Sequence, residues 1–178
     1  MDSINAEKLQ ESLIAGFISG DRHSDPSLIP SLLVNDYKRE KKILTALSDE
    51  LMSCDSFDFS VAFINNEGLA SIKEILAELE VRGIHGRILT TDYLDFTEPS
   101  ALEDLMQFSN IEVRMYTKGS FHPKGYIFRH SDHYSMIVGS ANLTASALSM
   151  NQEWCIRLVS LSDSHIAESM AAELSRVW

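Results

Sequence analysis

Residues 121–128 read Phe-His-Pro-Lys-Gly-Tyr-Ile-Phe, a run rich in the aromatic and β-branched side chains that favour β-strands. Within a strand, side chains two positions apart point to the same face of the sheet. His122 and Lys124 are therefore expected to project together. This arrangement places an imidazole, which can attack or carry a proton, beside a fixed cation.

The segment after this strand predicts a hairpin followed by a polar turn. Residues 134–138 read as a second strand, separated from the first by the polar residues 129–133, which is typical of an antiparallel hairpin. Gly139-Ser140-Ala141-Asn142 follows as the turn. Glu153 then begins a last strand over residues 153–159.

Upstream of the motif, strand and helix patterns alternate. Strands are predicted at 57–64, 87–91 and 111–116, and helices at 69–82 and 97–108. Asp36 is expected to cap an earlier helix that runs to about residue 54, and Asp163 a closing helix. Because strand–helix–strand order favours parallel pairing and the later hairpin is antiparallel, the chain is expected to be α/β with a mixed β-sheet.

Composition fits one globular domain. The chain has 178 residues, 44% of them hydrophobic, and a formal net charge of −11. That charge argues against a surface of general positive potential, although Lys118, Lys124 and Arg129 surround the motif. Cys54 and Cys155 are predicted to be core thiols. With no leader and no long apolar run, the sequence predicts a cytoplasmic protein without a membrane partner.

The side chains of the motif are suited to phosphate chemistry. An imidazole can attack phosphorus to give a phosphohistidine, and an ammonium can hold a phosphate oxygen and neutralise developing charge. An Asn amide can donate to a second oxygen, and a carboxylate can orient the imidazole. This set suffices for phosphodiester cleavage without a metal, but it lacks a general acid for the leaving oxygen, a role that a second His would fill.

The ordered set His122-x-Lys124, Gly139-Ser140-x-Asn142 and Glu153 resembles the phospholipase D superfamily, in particular its single-motif nuclease branch. The resemblance implies a mixed sheet with helices on both faces. It also implies cleavage without a metal or other cofactor, through a phosphohistidine, in an active site shared by the two subunits of a homodimer.

A longer run points to a particular context. Thr90 to Pro99, followed by residues 121–128, looks like the phospholipase D-like domain at the N-terminus of bacterial superfamily 2 (DEAD/DEAH-type) helicases and in some restriction systems. The resemblance covers roughly 36–177, which predicts an N-terminal extension over 1–35 and a phospholipase D-like domain over 36–178. It implies DNA as the substrate and C-terminal helicase domains as partners.

The resemblance assigns site roles to five residues: His122 as nucleophile or its acid partner, Lys124 and Asn142 as phosphate ligands, Ser140 as support at the turn, and Glu153 as the group that orients His122. The family's longer motif has an Asp five residues after the Lys, where this chain has Arg129. Glu153 is expected to take that role.

Simpler interpretations remain open for the same features. The domain could be a catalytically inactive DNA-binding or dimerisation module of a helicase. Asn142 could only shape its turn, and Glu153 could face solvent. Trp154 is expected in the core, and His130 and His133 in a solvated hairpin loop instead of a metal site. A lipid-directed phospholipase is disfavoured because there is no second motif and no basic amphipathic segment.

Overall fold

A mixed β-sheet organises the chain in the computed structural model, which describes residues 4–22, 24–92 and 96–178. The elements in chain order are α1 (Ala6–Phe17), β1 (Ser31–Leu33), a 3₁₀ turn (Tyr37–Arg39), α2 (Ile43–Ser53), β2 (Ser56–Val61), α3 (Asn66–Ala70), α4 (Lys73–Val81), β3 (His85–Thr91), α5 (Pro99–Leu105), β4 (Ile111–Tyr116), β5 (Lys124–Arg129), β6 (His133–Gly139), α6 (Ala145–Ser149), β7 (Cys155–Leu161) and α7 (His165–Val177).

The strand order is β1-β7-β6-β5-β2-β3-β4. β2, β3 and β4 are parallel, as the alternating helices predicted, whereas β5, β6, β7 and β1 pair antiparallel. The hairpin β5–β6 is confirmed, with Gly125 opposite Val138. The predicted mixed sheet is therefore correct.

Helices lie on both faces of the sheet. Alternate residues of the strands, such as Phe57, Phe59 and Phe128, point to one face of the sheet. There they form the main core with apolar residues of α2 to α6. The other face is covered by α7, whose Met170 and Leu174 line a cavity with sheet residues. This confirms the predicted fold class.

All of the predicted site residues lie at one edge of the sheet. β2 ends where β5 begins, with Val61 opposite Lys124, and β6 ends where β7 begins, with Gly139 opposite Cys155. The ends of β2, β3, β4 and β6 therefore meet the starts of β5 and β7 along this edge. Loops from distant parts of the sequence converge there.

The prediction for Asp36 is wrong in detail. Its carboxylate accepts hydrogen bonds from the backbone N–H groups of Lys38 at 3.0 Å and Arg39 at 3.2 Å, so it caps the short 3₁₀ turn. Glu40 then adopts a left-handed conformation with φ of 54°, which ends the turn. The α-helix begins only at Ile43.

Two helices also differ from the sequence prediction. The helical pattern at 69–82 is split into α3 and α4, and Asn65 caps α3 by accepting a hydrogen bond from the Gly68 N–H at 2.8 Å. Gly83 follows α4 with a φ of 69°, a left-handed conformation that glycine adopts readily at a helix end. Ser164, not Asp163, caps α7.

The first 35 residues contact the rest of the fold. β1 adds an edge strand to β7, with Leu32 opposite Ile156. Leu9 of α1 packs with Leu28 and with Val159 of β7 in a small apolar cluster. The division at residue 35 stays a prediction.

A buried charged network replaces the solvated loop predicted for His130 and His133. Glu50 is only 6% exposed, and it accepts hydrogen bonds from Arg157 Nε at 2.5 Å and His130 Nε2 at 3.2 Å. The rings of His130 and His133 stack at 4.2 Å, and His133 pairs with Asp132 at 2.7 Å. The loop prediction failed because the partner of His130 lies 80 positions away in sequence.

Cys54 and Cys155 are buried and unpaired, which confirms the prediction of core thiols. Burial raises the pKa of Cys54 to about 12, so this thiol stays protonated and unreactive at neutral pH. Among the helices that the structure describes, none has the length and apolar character needed to span a membrane.

Candidate active site

His122 and Lys124 are in direct contact. The Lys124 Nζ lies 2.6 Å from His122 Nδ1 and 3.2 Å from Nε2, and it donates to the His122 carbonyl oxygen at 3.0 Å. The strand, however, begins only at Lys124. The intervening Pro123 has no N–H to contribute to a sheet ladder, so His122 belongs to the loop. Shared strand geometry therefore does not by itself account for the contact.

Lys124 is an almost fully buried cation, with 8% of its surface exposed. Its Nζ lies 5.8 Å from the centre of the Phe63 ring. Burial lowers the pKa of Lys124, and the negative charge of Glu153 acts in the opposite direction. An ammonium that has lost much of its hydration gains from an anionic ligand, which suits Lys124 to hold a phosphate oxygen.

Phe63 supports the imidazole. The His122 ring lies edge-on to Phe63, with ring centres 5.6 Å apart and planes at 79°. Phe63 in turn packs on Phe96 at 4.9 Å. Sequence reasoning missed Phe63, because its place directly after β2 looked like the end of a buried strand. The sequence feature that could have indicated a role for Phe63 is its aromatic side chain shortly before the polar pair Asn65-Asn66.

Asn142 connects the Gly-Ser-x-Asn turn to the end of β2. Its side-chain oxygen accepts the backbone N–H of Phe63 at 3.1 Å, and the N–H of Leu143 donates to the Phe63 carbonyl at 3.1 Å. The hydrogen bond from the Phe63 N–H fixes the orientation of the Asn142 side-chain amide. The two protons of Asn142 Nδ2 make no hydrogen bond within the described residues, so they are the group that could donate to a ligand.

Tyr126 stabilises the same turn through a hydrogen bond from the core. Its hydroxyl donates to the Ala141 carbonyl at 3.0 Å, and burial raises its pKa well above the ordinary value. The neutral phenol is therefore a fixed donor in the core. The sequence had placed Tyr126 on a strand but had given no reason to connect it to the turn.

Ser140 positions the chain around Glu153. The Ser140 hydroxyl donates a hydrogen bond to the Glu153 carboxylate and accepts one from the Trp154 N–H at 3.0 Å. The backbone N–H of Ser140 donates to the Trp154 carbonyl oxygen at 3.1 Å. Gly139 makes this close approach possible, because a Cβ there would lie 2.2 Å from the Trp154 carbonyl oxygen. Ser140 is thus a support for Glu153.

Glu153 is tied to Ser140 and acts electrostatically on Lys124. Among the hydrogen bonds of the described residues, none joins Glu153 to His122. Its assignment as the residue that orients His122 stays a prediction. Arg129 occupies the position where the longer family motif has Asp. It is the last residue of β5 and lies at the other end of the strand from Lys124.

The prediction that Trp154 lies in the core is wrong. The side chain is 74% exposed, whereas the next residue, Cys155, is buried. Trp154 lies just before β7, whereas Cys155 is the first residue of the strand. The prediction failed because the size and apolar character of Trp suggested burial.

Two threonines from the run Thr90 to Pro99 contact the backbone directly after β2. Thr90 donates its hydroxyl proton to the Ala62 carbonyl at 3.3 Å, as does Thr97. Tyr93, Leu94 and Asp95 of this run lie outside the described residues. The described part of the run therefore supports the loop that follows β2.

The assembled site combines a buried ammonium, a neighbouring imidazole, an oriented amide and a carboxylate. These groups can bind a tetrahedral anion and supply a nucleophile or a proton to it. No group of three or more His, Cys, Asp or Glu within residues 4–22, 24–92 and 96–178 is arranged to hold a metal ion.

Comparison with known proteins gives the family and the fold. The family model described as cardiolipin synthase, phospholipase D-like domain, matches residues 47–178. No curated protein matches the sequence.

Among solved structures, NucT from Helicobacter pylori is similar with a TM-score of 0.64 at 18% identity, over 83% of this chain and 94% of that one. Nuc from Salmonella typhimurium, a phospholipase D family member, gives 0.63 at 20% identity, over 84% and 94%. Phosphatidylserine synthase from Haemophilus influenzae gives 0.66 at 14% identity, over 88% and 40%. These likenesses establish the fold.

Proposed function

This chain belongs to the phospholipase D-like domain family, and on that premise we propose that it is a metal-independent phosphodiesterase of the nuclease type that acts on DNA. The observation that carries the proposal is the contact between the buried Lys124 ammonium and the His122 imidazole. A buried cation beside a nucleophile is suited to an anionic ester more than to a neutral substrate.

The proposed reaction has two steps. A phosphate oxygen takes over the hydrogen bonds of Lys124, which frees the imidazole lone pair of His122 to attack phosphorus. A P–N bond forms as the P–O bond to the leaving group breaks, and Asn142 Nδ2 donates to another oxygen. Water then attacks the phosphohistidine, releases the phosphate ester and restores the imidazole.

The leaving oxygen in the first step needs a proton from a second acid. The sequence contains one His-x-Lys motif followed by Gly-Ser-x-Asn. We therefore propose that the partner subunit of a homodimer supplies the second His122, so that two chains share one active site. The protonated partner imidazole protonates the leaving oxygen and later accepts a proton from the attacking water.

The resemblance of the Thr90–Pro99 run and residues 121–128 to helicase and restriction proteins supports one further element of the proposal. The domain would deliver its phosphodiesterase activity within a larger helicase or restriction protein. In that setting, the neighbouring domains would present the DNA.

The test is DNA cleavage in the presence of EDTA, with portions quenched in alkali during the first turnover. We expect cleavage to persist, and one DNA fragment to remain attached to the protein through its terminal phosphate, in an alkali-stable, acid-labile form that is typical of a phosphohistidine linkage. Cleavage that is lost in EDTA and restored by a divalent cation would contradict the proposal.

The alternative is an inactive DNA-binding or dimerisation domain. Two observations favour it: the net charge of −11, and the hydrogen bond of Glu153 to Ser140. DNA binding or dimerisation without cleavage, equal in the wild type and in a variant that lacks His122, would support this alternative.

A charge-removing substitution tests the part played by Glu153. Lys124 must be protonated to hold a phosphate, so activity should fall as the pH rises through its pKa. Burial lowers that pKa and the charge of Glu153 raises it. In Glu153→Gln the pKa falls further, and the alkaline limb of kcat/KM is expected to shift to lower pH.

The measurement is kcat/KM for DNA cleavage across the alkaline range. Glu103→Gln, at an exposed position of α5, is the matched control and should leave the limb unchanged. An alkaline limb at the same pH in Glu153→Gln and the wild type would show that Glu153 does not act through Lys124.

A further inference from the structure

Two exposed aromatic side chains lie beside the candidate site. Trp154 is 74% exposed and Phe96 is 57% exposed. Single exposed apolar residues are common on protein surfaces, but large aromatic rings grouped around a polar site are typical of a binding surface. Neither ring is used in the proposed chemistry.

The strand order places these rings on opposite sides of the His122–Lys124 pair. Trp154 precedes β7, which is two strands from β5, a separation of roughly 10 Å. Phe96 packs on Phe63 directly after β2, which neighbours β5 on its other side. The pair therefore lies between the two rings along the sheet edge.

The Phe96 ring and the backbone of Trp154 are each connected to residues of the site. Phe96 contacts Phe63, and Phe63 contacts His122. The backbone of Trp154 is fixed by two hydrogen bonds to Ser140, at 3.0 and 3.1 Å. A ring packed against Phe63 and a second ring carried by a fixed backbone are therefore placed to receive flat groups on either side of a bound phosphate.

We propose that Trp154 and Phe96 stack on the nucleobases that flank the bound phosphate, and that the preferred ligand is single-stranded nucleic acid. The inference rests on the proposed function of the same site. The bases of a duplex are already stacked on each other, whereas those of a single strand are free to stack on aromatic side chains.

The charge of the chain supports this choice. A protein with a net charge of −11 gains little from general attraction to a polyanion. Stacking supplies affinity that does not depend on charge. Binding of a single strand is therefore expected to depend only weakly on salt, as for a protein that makes about one or two phosphate contacts.

The experiment measures binding of a short oligothymidylate to proteins that all carry His122→Ala, which stops turnover, through quenching of Trp fluorescence and through anisotropy of a labelled strand. The protein with Trp154 and Phe96 unchanged in this background serves as the wild type of the comparison. Trp154→Leu keeps an apolar side chain but removes the ring, and it should weaken binding about fivefold to 150-fold. Trp154→Tyr keeps a ring and should bind within a few-fold of the wild type. Phe96→Leu and Phe96→Tyr form the second pair.

Trp178 provides the matched control. Its ring lies over the guanidinium groups of Arg87 at 5.1 Å and Arg114 at 4.4 Å, on the face of the sheet covered by α7. Trp178→Phe should leave both the affinity and the quenching of Trp154 intact. Trp154→Phe should remove most of the quenching and keep most of the affinity.

Equal affinity of Trp154→Leu and the wild type would overturn the proposal, and so would equal or tighter binding of a duplex of the same length. Because binding is measured without turnover, failure of catalysis leaves this test intact. Cleavage that proceeds normally in Trp154→Leu and Phe96→Leu, with unchanged KM for a single strand, would overturn the stacking role while sparing the proposed function.

Discussion

Cleavage of DNA is expected to fall by at least about a thousandfold when His122 is replaced by Ala, because the variant loses both the nucleophile and its acid partner in the shared site. The fold should be unaffected, since the His122 side chain is exposed and its described contacts are with Lys124 and Phe63. The measurement is kcat/KM with matched protein concentrations.

His165→Ala is the control for this substitution. His165 is an exposed residue in the first turn of α7 and is not assigned to the site, so its variant should keep wild-type activity. An His122→Ala protein that cleaves at more than a tenth of the wild-type rate would remove His122 from the chemistry.

The same variant tests whether the site is shared. After subunit exchange in an equal mixture of wild type and His122→Ala, about one quarter of twofold dimers carry two His122 residues, so activity should be about one quarter of that of wild type alone. A site complete within one chain would instead give about one half. The mass of the protein in solution, measured by sedimentation, gives the fraction of dimer.

Glu50→Gln is expected to lower the free energy of unfolding by about 3 kcal/mol. Burial acts to raise the pKa of Glu50, but the hydrogen bond from His130 and the charge of Arg157 outweigh it and lower the pKa from 4.5 to about 2. The carboxylate is therefore ionised in the folded protein. A neutral amide in its place leaves Arg157 partly buried without a countercharge.

Urea denaturation at neutral pH measures this loss. Glu103→Gln, which changes an exposed carboxylate, should shift the free energy of unfolding by less than about 0.5 kcal/mol. A similar small shift in Glu50→Gln would mean that the buried pair contributes nothing net to stability.

The pH dependence follows from the same pKa values. Because the folded pKa of Glu50 lies below its ordinary value, its contribution is complete above about pH 4.5 and is lost as the pH falls from 4.5 toward 2. Burial also lowers the pKa of His133 below 6.5, so stability begins to fall as the pH drops below that value. In Glu50→Gln the loss between pH 4.5 and 2 should be much smaller than in the wild type.

Local sequence patterns determined most of the architecture. The alternation of strand and helix periods up to residue 116 predicts the parallel strands β2, β3 and β4, and the polar residues 129–133 predict the hairpin that follows. The ordered His-x-Lys and Gly-Ser-x-Asn motifs predict a phosphate site. Hydrophobic period and turn chemistry are properties of neighbouring residues, and for that reason they can be inferred without a structure.

The tertiary structure alone determined how the site is assembled. Asn142 bonds to Phe63 across 79 positions in sequence, and Glu50 bonds to His130 across 80. The exposure of Trp154 and the contact of Glu153 with Ser140 likewise depend on which strands are neighbours. Such contacts form only when the sheet order brings distant segments together, and no local period encodes them. The sequence alone therefore predicted the type of chemistry, whereas the fold determined which side chains contact the His122–Lys124 pair and which remain free to bind a ligand.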